Sequence, residues 1–382
     1  MNVLYICSSV PGTGIHYNAT MLPLAMRSLG VNPLVVSAPG EADPGVRSYL
    51  LARRMEVFDI RSFAFGGIEG LWRSARELAS YLRGQQVDIM HPFGFGQALR
   101  CWLAWRMAYP NREPRILVSF LAVRKLLGEE WPIRVLASLF LNRIACATCV
   151  TCTLEYKKML RAGLKADRLE LVPLYINIDR FELEKKAASA VSFSFDPVLE
   201  GRPVITYLAA FRKGKAHDHL LKAASTVIRD YSNALFILAG DGPLHREMQQ
   251  LARRLGLSGN VLFPGKVPRR KVPALLERTT IGVVSSLSET FCWAMIEPLL
   301  AERPVVTTDV GFALDLAQAG GVIMVPKGNP EKLADGILQL LRDPILRQEI
   351  ASRGRAFVVE NCEINRVAER YIRLYRRCLE EL

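Results

Sequence analysis

The 382-residue sequence contains no run of the roughly 18 apolar residues that a helix needs to cross a bilayer. Its most apolar helical stretch, Ile133 to Ala145, is shorter than that and carries Arg134 and Arg143, so no membrane-crossing segment is expected. Low-complexity tracts and short repeats are also missing, which excludes solenoids and disordered arrays. Met1 to Ser8 has no basic n-region and only a brief apolar run, so it reads as a first strand and a cytoplasmic location is expected. There is no DxD motif and no clustered His/Asp spacing, so no metal site and no cofactor are expected. Gly12-Thr13-Gly14 follows a strand-like run, but a nicotinamide fingerprint would want a third glycine where Tyr17 stands and an acid where SAPG ends the second strand. RKGKAH lacks the GK[ST] and the spacing of an NTPase phosphate loop. Nor does any nucleic-acid recognition motif accompany the positive charge.

Cysteine is present but sparse. Eight in a chain of this length, most of them inside apolar segments, suit a reducing compartment better than a disulfide framework. Cys146, Cys149 and Cys152 form CxxCxxC without a fourth ligand at suitable spacing. ACATCVTCT therefore reads as a buried strand whose successive cysteines face opposite sides.

What is present is a globular composition, half hydrophobic and 23% charged, long enough for two domains. Strand-like runs (NVLYICS, PLVVS, VDIMH, RILVSF, ATCVTCT) alternate with helical patterns, one over about Asn18 to Leu29 and another from Glu69 to Arg83 with its stripe at Leu71, Ala75, Leu78 and Leu82. The pattern dissolves from Pro173 to Arg202 and restarts with VITYLAA, ALFILAG, NVLFPG, TIGVVSS, PVVTT and GVIMVP, followed by three helices. Such alternation means parallel sheets covered by helices. The expected division is 1–178, 179–360 and a closing helix 361–382 that can pack back on the first domain, with a ligand cleft at the carboxyl edges of the sheets.

A formal charge of +13 suits nucleic acid, an anionic membrane or a phosphorylated substrate equally. Residues 100–145 hold eight basic side chains against three acidic ones, with Trp102, Trp105 and Trp131 among them. That mixture fits an interface with anionic headgroups, and it equally fits amphipathic helices with solvated arginine faces.

SETFCWAMIEP sets Glu289 and Glu297 eight positions apart. Glu289 falls just beyond the strand TIGVVSS, and the helix expected from Phe291 or Cys292 through Leu300 carries Glu297 in its second turn. The free N–H groups at such a helix start attract phosphate or sugar oxygens, while carboxylates accept from hydroxyls. A nucleotide sugar would satisfy both. In isolation the same pair reads as a helix-capping Glu and a solvated one.

With FRKGKAHDHLLKA, LFILAGDGPL, NVLFPGKV, SETFCWAMIEPLLAERPVV, GGVIMVP and NPEKLADGILQLL in this order, the second half resembles the retaining glycosyltransferases of family 4, whose signature is E-x7-E. The resemblance implies the GT-B fold, two Rossmann-like doubly wound domains facing each other across a cleft. It implies that Glu297 holds the donor ribose, and that Glu289 contacts the donor sugar with the backbone of Thr290, Phe291 and Cys292 nearby. Lys215 would neutralise the departing diphosphate, Gly265, Lys266 and Val267 would frame the base, and Gly240 would lie on a neighbouring turn. Gly12 and Gly14 would line the other side of the cleft. The family places an arginine where Ala210 stands; Arg212, two residues on, either substitutes or is a solvated turn residue. Small glycines are usual where Thr290 and Cys292 stand. The first-domain histidine of the family is missing after RILVSFLAV, which leaves His16 and His91, with His16 the stronger candidate. The implied activity is retaining transfer from a UDP- or GDP-type sugar, without an essential metal. The basic, tryptophan-bearing first half makes a lipid-linked or cell-envelope acceptor, at an anionic membrane surface, the expected partner. The rival readings are a nucleotide-sugar epimerase of similar fold and a non-catalytic binding subunit.

Overall fold

Apolar runs that cover both of their faces with helices become parallel strands, and in the computed structural model, which describes residues 1–7, 14–37, 50–64, 67–120 and 131–380, they gather into two units. The first comprises Met1–Tyr175 and Ile364–Leu382, the second Ile176–Glu363.

In the first unit β1 (Asn2–Cys7), β2 (Asn32–Ser37), β3 (Val57–Asp59) and β4 (Ile89–Pro92) form a parallel sheet in the order β3-β2-β1-β4. β5 (Leu117–Phe120), β6 (Ala147–Val150) and β7 (Leu169–Leu171) form a second in the order β5-β6-β7. A parallel bridge between Met90 and Ile116 joins β4 to the start of β5. Every residue of β4, β5 and β6 is buried. The helix Gly67–Arg83 covers one face with Leu78 and Leu82, and Phe95–Ala108 contributes Ala104 and Trp105. Among the described residues no helix is long and apolar enough to cross a membrane.

The final helix, Ile364–Glu380, buries Ile364, Val367, Ala368, Tyr371, Leu374, Tyr375 and Cys378, a stripe of helical period. The stripe ends in a polar knot. Tyr375 OH lies 2.6 Å from His91 Nδ1 and 3.1 Å from Tyr5 OH. Ser119 Oγ lies 2.7 Å from His91 Nε2 and 3.0 Å from Tyr371 OH. Burial lowers the His91 pKa to about 3, so the ring is neutral and both nitrogens are used internally. His91 is thus a structural residue that ties the last helix to β4 and β5.

Three expectations need correction here. Cys146 is bonded to Cys378 in a disulfide across 232 residues of sequence, so the eight cysteines are not all free thiols. Cys101, Cys149, Cys152, Cys292 and Cys362 are buried thiols outside any disulfide. The sequence hides the pair because one partner lies just before β6 and the other on the closing helix. The strand in ACATCVTCT is only Ala147–Val150. The stretch from Pro173 to Arg202 is not structureless either. Asn177 caps the helix Ile178–Lys186 by accepting from Arg180 N at 2.8 Å, and a short helix, Asp196–Leu199, follows.

The second unit holds β8 (Val204–Leu208), β9 (Leu235–Ala239), β10 (Val261–Leu262), β11 (Ile281–Val284), β12 (Val305–Thr308) and β13 (Ile323–Val325). Its sheet is parallel in the order β10-β9-β8-β11-β12-β13. Chain order reverses between β8 and β11, and the loops leaving their carboxyl ends must diverge there, which opens a crevice for ligands.

Tyr375→Phe removes a hydroxyl that serves both His91 and Tyr5, and is expected to lower the unfolding free energy by about 1–3 kcal/mol in urea denaturation. An unchanged midpoint and slope would show that the knot does not hold the closing helix.

Candidate functional site

Two turns meet at the point where the sheet of the second unit reverses. From β8 the chain runs through Ala209–Arg212 into a tight turn at Lys213–Lys215 and then into the helix His217–Asp230. A Cβ on Gly240 would overlap the Ala209 carbonyl, so glycine is required where the turns after β8 and β9 touch. The Lys215 carbonyl accepts from Ser285 Oγ at 3.0 Å and from Tyr207 OH at 3.1 Å, which fixes the backbone under the ammonium.

From β11 the chain passes Ser285 and Ser286 to Glu289. Ser286 Oγ donates to Glu289 Oε1 at 2.7 Å and lies 2.8 Å from Tyr207 OH. Lys215 Nζ is ion-paired with the same carboxylate oxygen. Behind this segment Phe312 N donates to the Thr290 carbonyl at 3.0 Å, and a Cβ on Gly311 (φ +50) would collide with that carbonyl. Burial works against the Lys215 ammonium, but the nearby Cys292 and Glu289 overcome it and the net pKa is raised. Burial pushes the Cys292 thiol up to about 12, so at neutral pH it is uncharged and Glu289 is the group that keeps Lys215 protonated.

The helix following Glu289 spans Trp293–Leu300 with Cys292 as its N-cap, starting a residue later than expected. Glu297 lies in its second turn, buried, with Arg269 NH2 3.3 Å from its Oε1. The Arg269 guanidinium also sits 4.5 Å above the Trp293 ring. Burial pushes the Glu297 carboxyl up to about 7, against the pull of Arg269 and with a small push from Glu184.

The site residues named from sequence fall into groups. Lys215 and Glu289 are in contact, whereas Glu297, on the helix that follows, is paired with Arg269 instead. Arg212 is exposed at the turn, close enough to bear on the Lys215 charge. Thr290 is half-buried, while Phe291 is a core side chain between the Phe312 and Trp293 rings. Gly265 (φ +76) accepts from Gly240 N at 2.9 Å, Lys266 is exposed, and Val267 packs on Val204, Ile237, Ala239 and Leu275. Gly14 opens the helix Gly14–Ser28. Gly12 and the side chain of His16 lie outside the described residues. Tyr207, Ser286, Arg269 and Trp293 carry no motif signal; only their neighbours in space reveal them.

A cavity of about 710 Å³ in the second unit lies elsewhere, at the amino ends of the strands beside Thr280 and Pro304. Its Arg278, Arg303 and Arg355 are neutralised by Asp196, Glu277, Glu182 and Glu302. The Lys215–Glu289 pair lies instead beyond the carboxyl ends of β8 and β11, shortly before the start of the Trp293–Leu300 helix. Among the described residues no group of three or more His, Cys, Asp or Glu could hold a metal ion.

Residues 192–357 match the family described as glycosyl transferases group 1. That span contains both glutamates and Lys215. Alpha-D-kanosaminyltransferase of Streptomyces kanamyceticus is 25% identical over 218 residues, 56% of either chain, so the match takes in little more than half of that relative. Two solved structures share the fold over the whole chain. A glycosyltransferase of Rickettsia africae superimposes with a TM-score of 0.82 at 17% identity, covering 100% of this chain and 99% of the other. Anabaena HepE in complex with UDP and glucose does so with 0.78 at 18%, covering 100% of both. The fold is therefore GT-B, with two Rossmann-like α/β units.

The raised Glu297 pKa sets a sign for stability. Between the ordinary value of 4.5 and about 7, the folded chain holds a proton that the unfolded chain has released, so this group makes stability fall as pH rises through that window. Glu297→Gln is expected to gain in melting temperature relative to the unsubstituted chain on going from pH 5 to pH 8. A difference that stays constant across that range would refute the raised pKa.

Proposed function

We propose that the second unit binds a nucleotide-diphosphate sugar of UDP or GDP type and that the chain is a retaining glycosyltransferase. The observation that carries this reading is the Lys215–Glu289 pair at the sheet's reversal point, beside the start of the Trp293–Leu300 helix. The group 1 match over residues 192–357 and the UDP and glucose held by the HepE structure support it.

In this reading the diphosphate lies against the helix start and Lys215, with the exposed Arg212 as a second cation. Glu289 accepts hydroxyls of the transferred sugar and Glu297 those of the ribose. The bond from the anomeric carbon to the diphosphate oxygen breaks, and its electron pair leaves with the nucleoside diphosphate. The acceptor hydroxyl oxygen bonds to that carbon on the same face, and its proton passes to a phosphate oxygen of the leaving group. Negative charge grows on the diphosphate as the bond breaks, so a fixed ammonium and fixed N–H dipoles stabilise the transition state more than the bound donor. These groups, without a resident metal, are assigned the charge compensation, so transfer should persist in EDTA.

The proposed acceptor is a lipid-linked or cell-envelope glycan met at an anionic membrane face. In the first unit Ile68 and Trp72 are exposed one turn apart on one helix, with Arg73 beside them. Leu136, Leu139 and Arg143 share an exposed face of Trp131–Ile144. Apolar side chains flanked by arginines suit insertion among anionic headgroups.

Lys215→Ala is expected to lower kcat by about 10²-fold or more while weakening donor binding much less, because the resting charge is smaller than the developing one. Equal losses in both would remove its assigned role. The protein should sediment with anionic liposomes at low salt and be released at high salt. Retention on neutral liposomes, or none on anionic ones, would count against the membrane assignment.

A further inference from the structure

Arg269 is one of the side chains at this site that no motif names, and its position is specific. It opens the short turn Arg269–Lys271 directly after the Gly265–Val267 loop. Its guanidinium stacks on Trp293 and reaches the Oε1 of Glu297 at 3.3 Å, while the side chain stays 44% exposed. Glu297 itself is only 10% exposed. The fork thus covers the outward approach to a buried carboxylate, held flat by an indole one turn before it on the same helix.

We propose that Arg269 reads the base of the bound nucleotide and selects a keto base, uracil or guanine, over adenine. The assignment rests on the nucleotide-sugar reading of the site and extends it to the class of donor. If the ribose diol bonds to Glu297, the base is attached to the carbon next to the 2′-hydroxyl, so it emerges beside whatever else touches that carboxylate. The structure puts a guanidinium there. Guanidinium has only N–H donors and no acceptor. Uracil and guanine present carbonyl oxygens to such a fork, whereas adenine turns an amino group, itself a donor, toward it. Stacking on Trp293 fixes the plane of the fork and so favours a flat partner.

Calorimetric titration of the full chain with UDP, GDP and ADP tests this, using the unsubstituted protein, Arg269→Ala and Glu297→Gln. UDP or GDP should bind at least about tenfold more tightly than ADP, and Arg269→Ala should narrow that preference to within about threefold. Glu297→Gln should weaken all three by a similar factor, because the ribose is common to them. A merely structural Arg269 would lower affinity for the three alike and leave the ratio intact. Binding of ADP as tight as that of UDP and GDP, or an unchanged ratio in Arg269→Ala, overturns the base-reading role alone. Absence of binding by all three overturns the nucleotide reading and this assignment with it.

Discussion

An ammonium set into the edge of a parallel sheet needs an opposite charge at hand, and the contact between Lys215 and Glu289 supplies it. The two residues follow different strands, β8 and β11, which are neighbours in the sheet although β9 and β10 lie between them in sequence. Everything else around the site serves to hold these two turns at the same height. Tyr207 and Ser286 fasten the carboxylate and the lysine backbone to one another, and Gly240 and Gly311 let the flanking loops approach closely enough to brace them. With the counter-charge fixed this way, the lysine keeps its proton despite burial. In the proposed reaction this fixed positive charge would face the departing diphosphate.

Glu297 represents the opposite solution. Its carboxylate is buried with one guanidinium near it and little else to offset the loss of water, so its proton affinity rises. Glu289 is tethered to Lys215 and Ser286, while Glu297, with its pKa pushed up to about 7, is poised to change state near neutrality. Two acids of the same motif thereby acquire different properties from their surroundings. The difference follows from the elements behind them: a turn braced by hydroxyls for Glu289, a helix face packed into the core for Glu297.

In the first unit the buried knot around His91 serves structure. His91, with an imidazole in a strand of the sheet, has the outward credentials of a catalytic group, yet Tyr375 and Ser119 consume both nitrogens. Together with the Cys146–Cys378 disulfide, this knot returns the end of the chain to the strands from which it started. A sequence reader sees a histidine after VDIM and cannot see the tyrosines, because they lie 280 or more residues downstream on a helix.

The sequence by itself determined the alternation of strands and helices and the GT-B architecture, and it singled out Lys215 and Glu289, which the structure brings into contact. Local period, turn chemistry and motif spacing act over a few residues, so they survive in one dimension. It misread the stretch after Pro173, where an asparagine cap starts a helix inside a charged run, because a single side-chain hydrogen bond outweighed weak apolar patterning. Only the tertiary structure decided the disulfide, the retirement of His91 into the core, the Tyr207–Ser286 brace and the seat of Arg269 on Trp293. Each of these joins residues from different elements, and hydrogen-bond distance, burial and stacking exist only once the chain has brought those elements together.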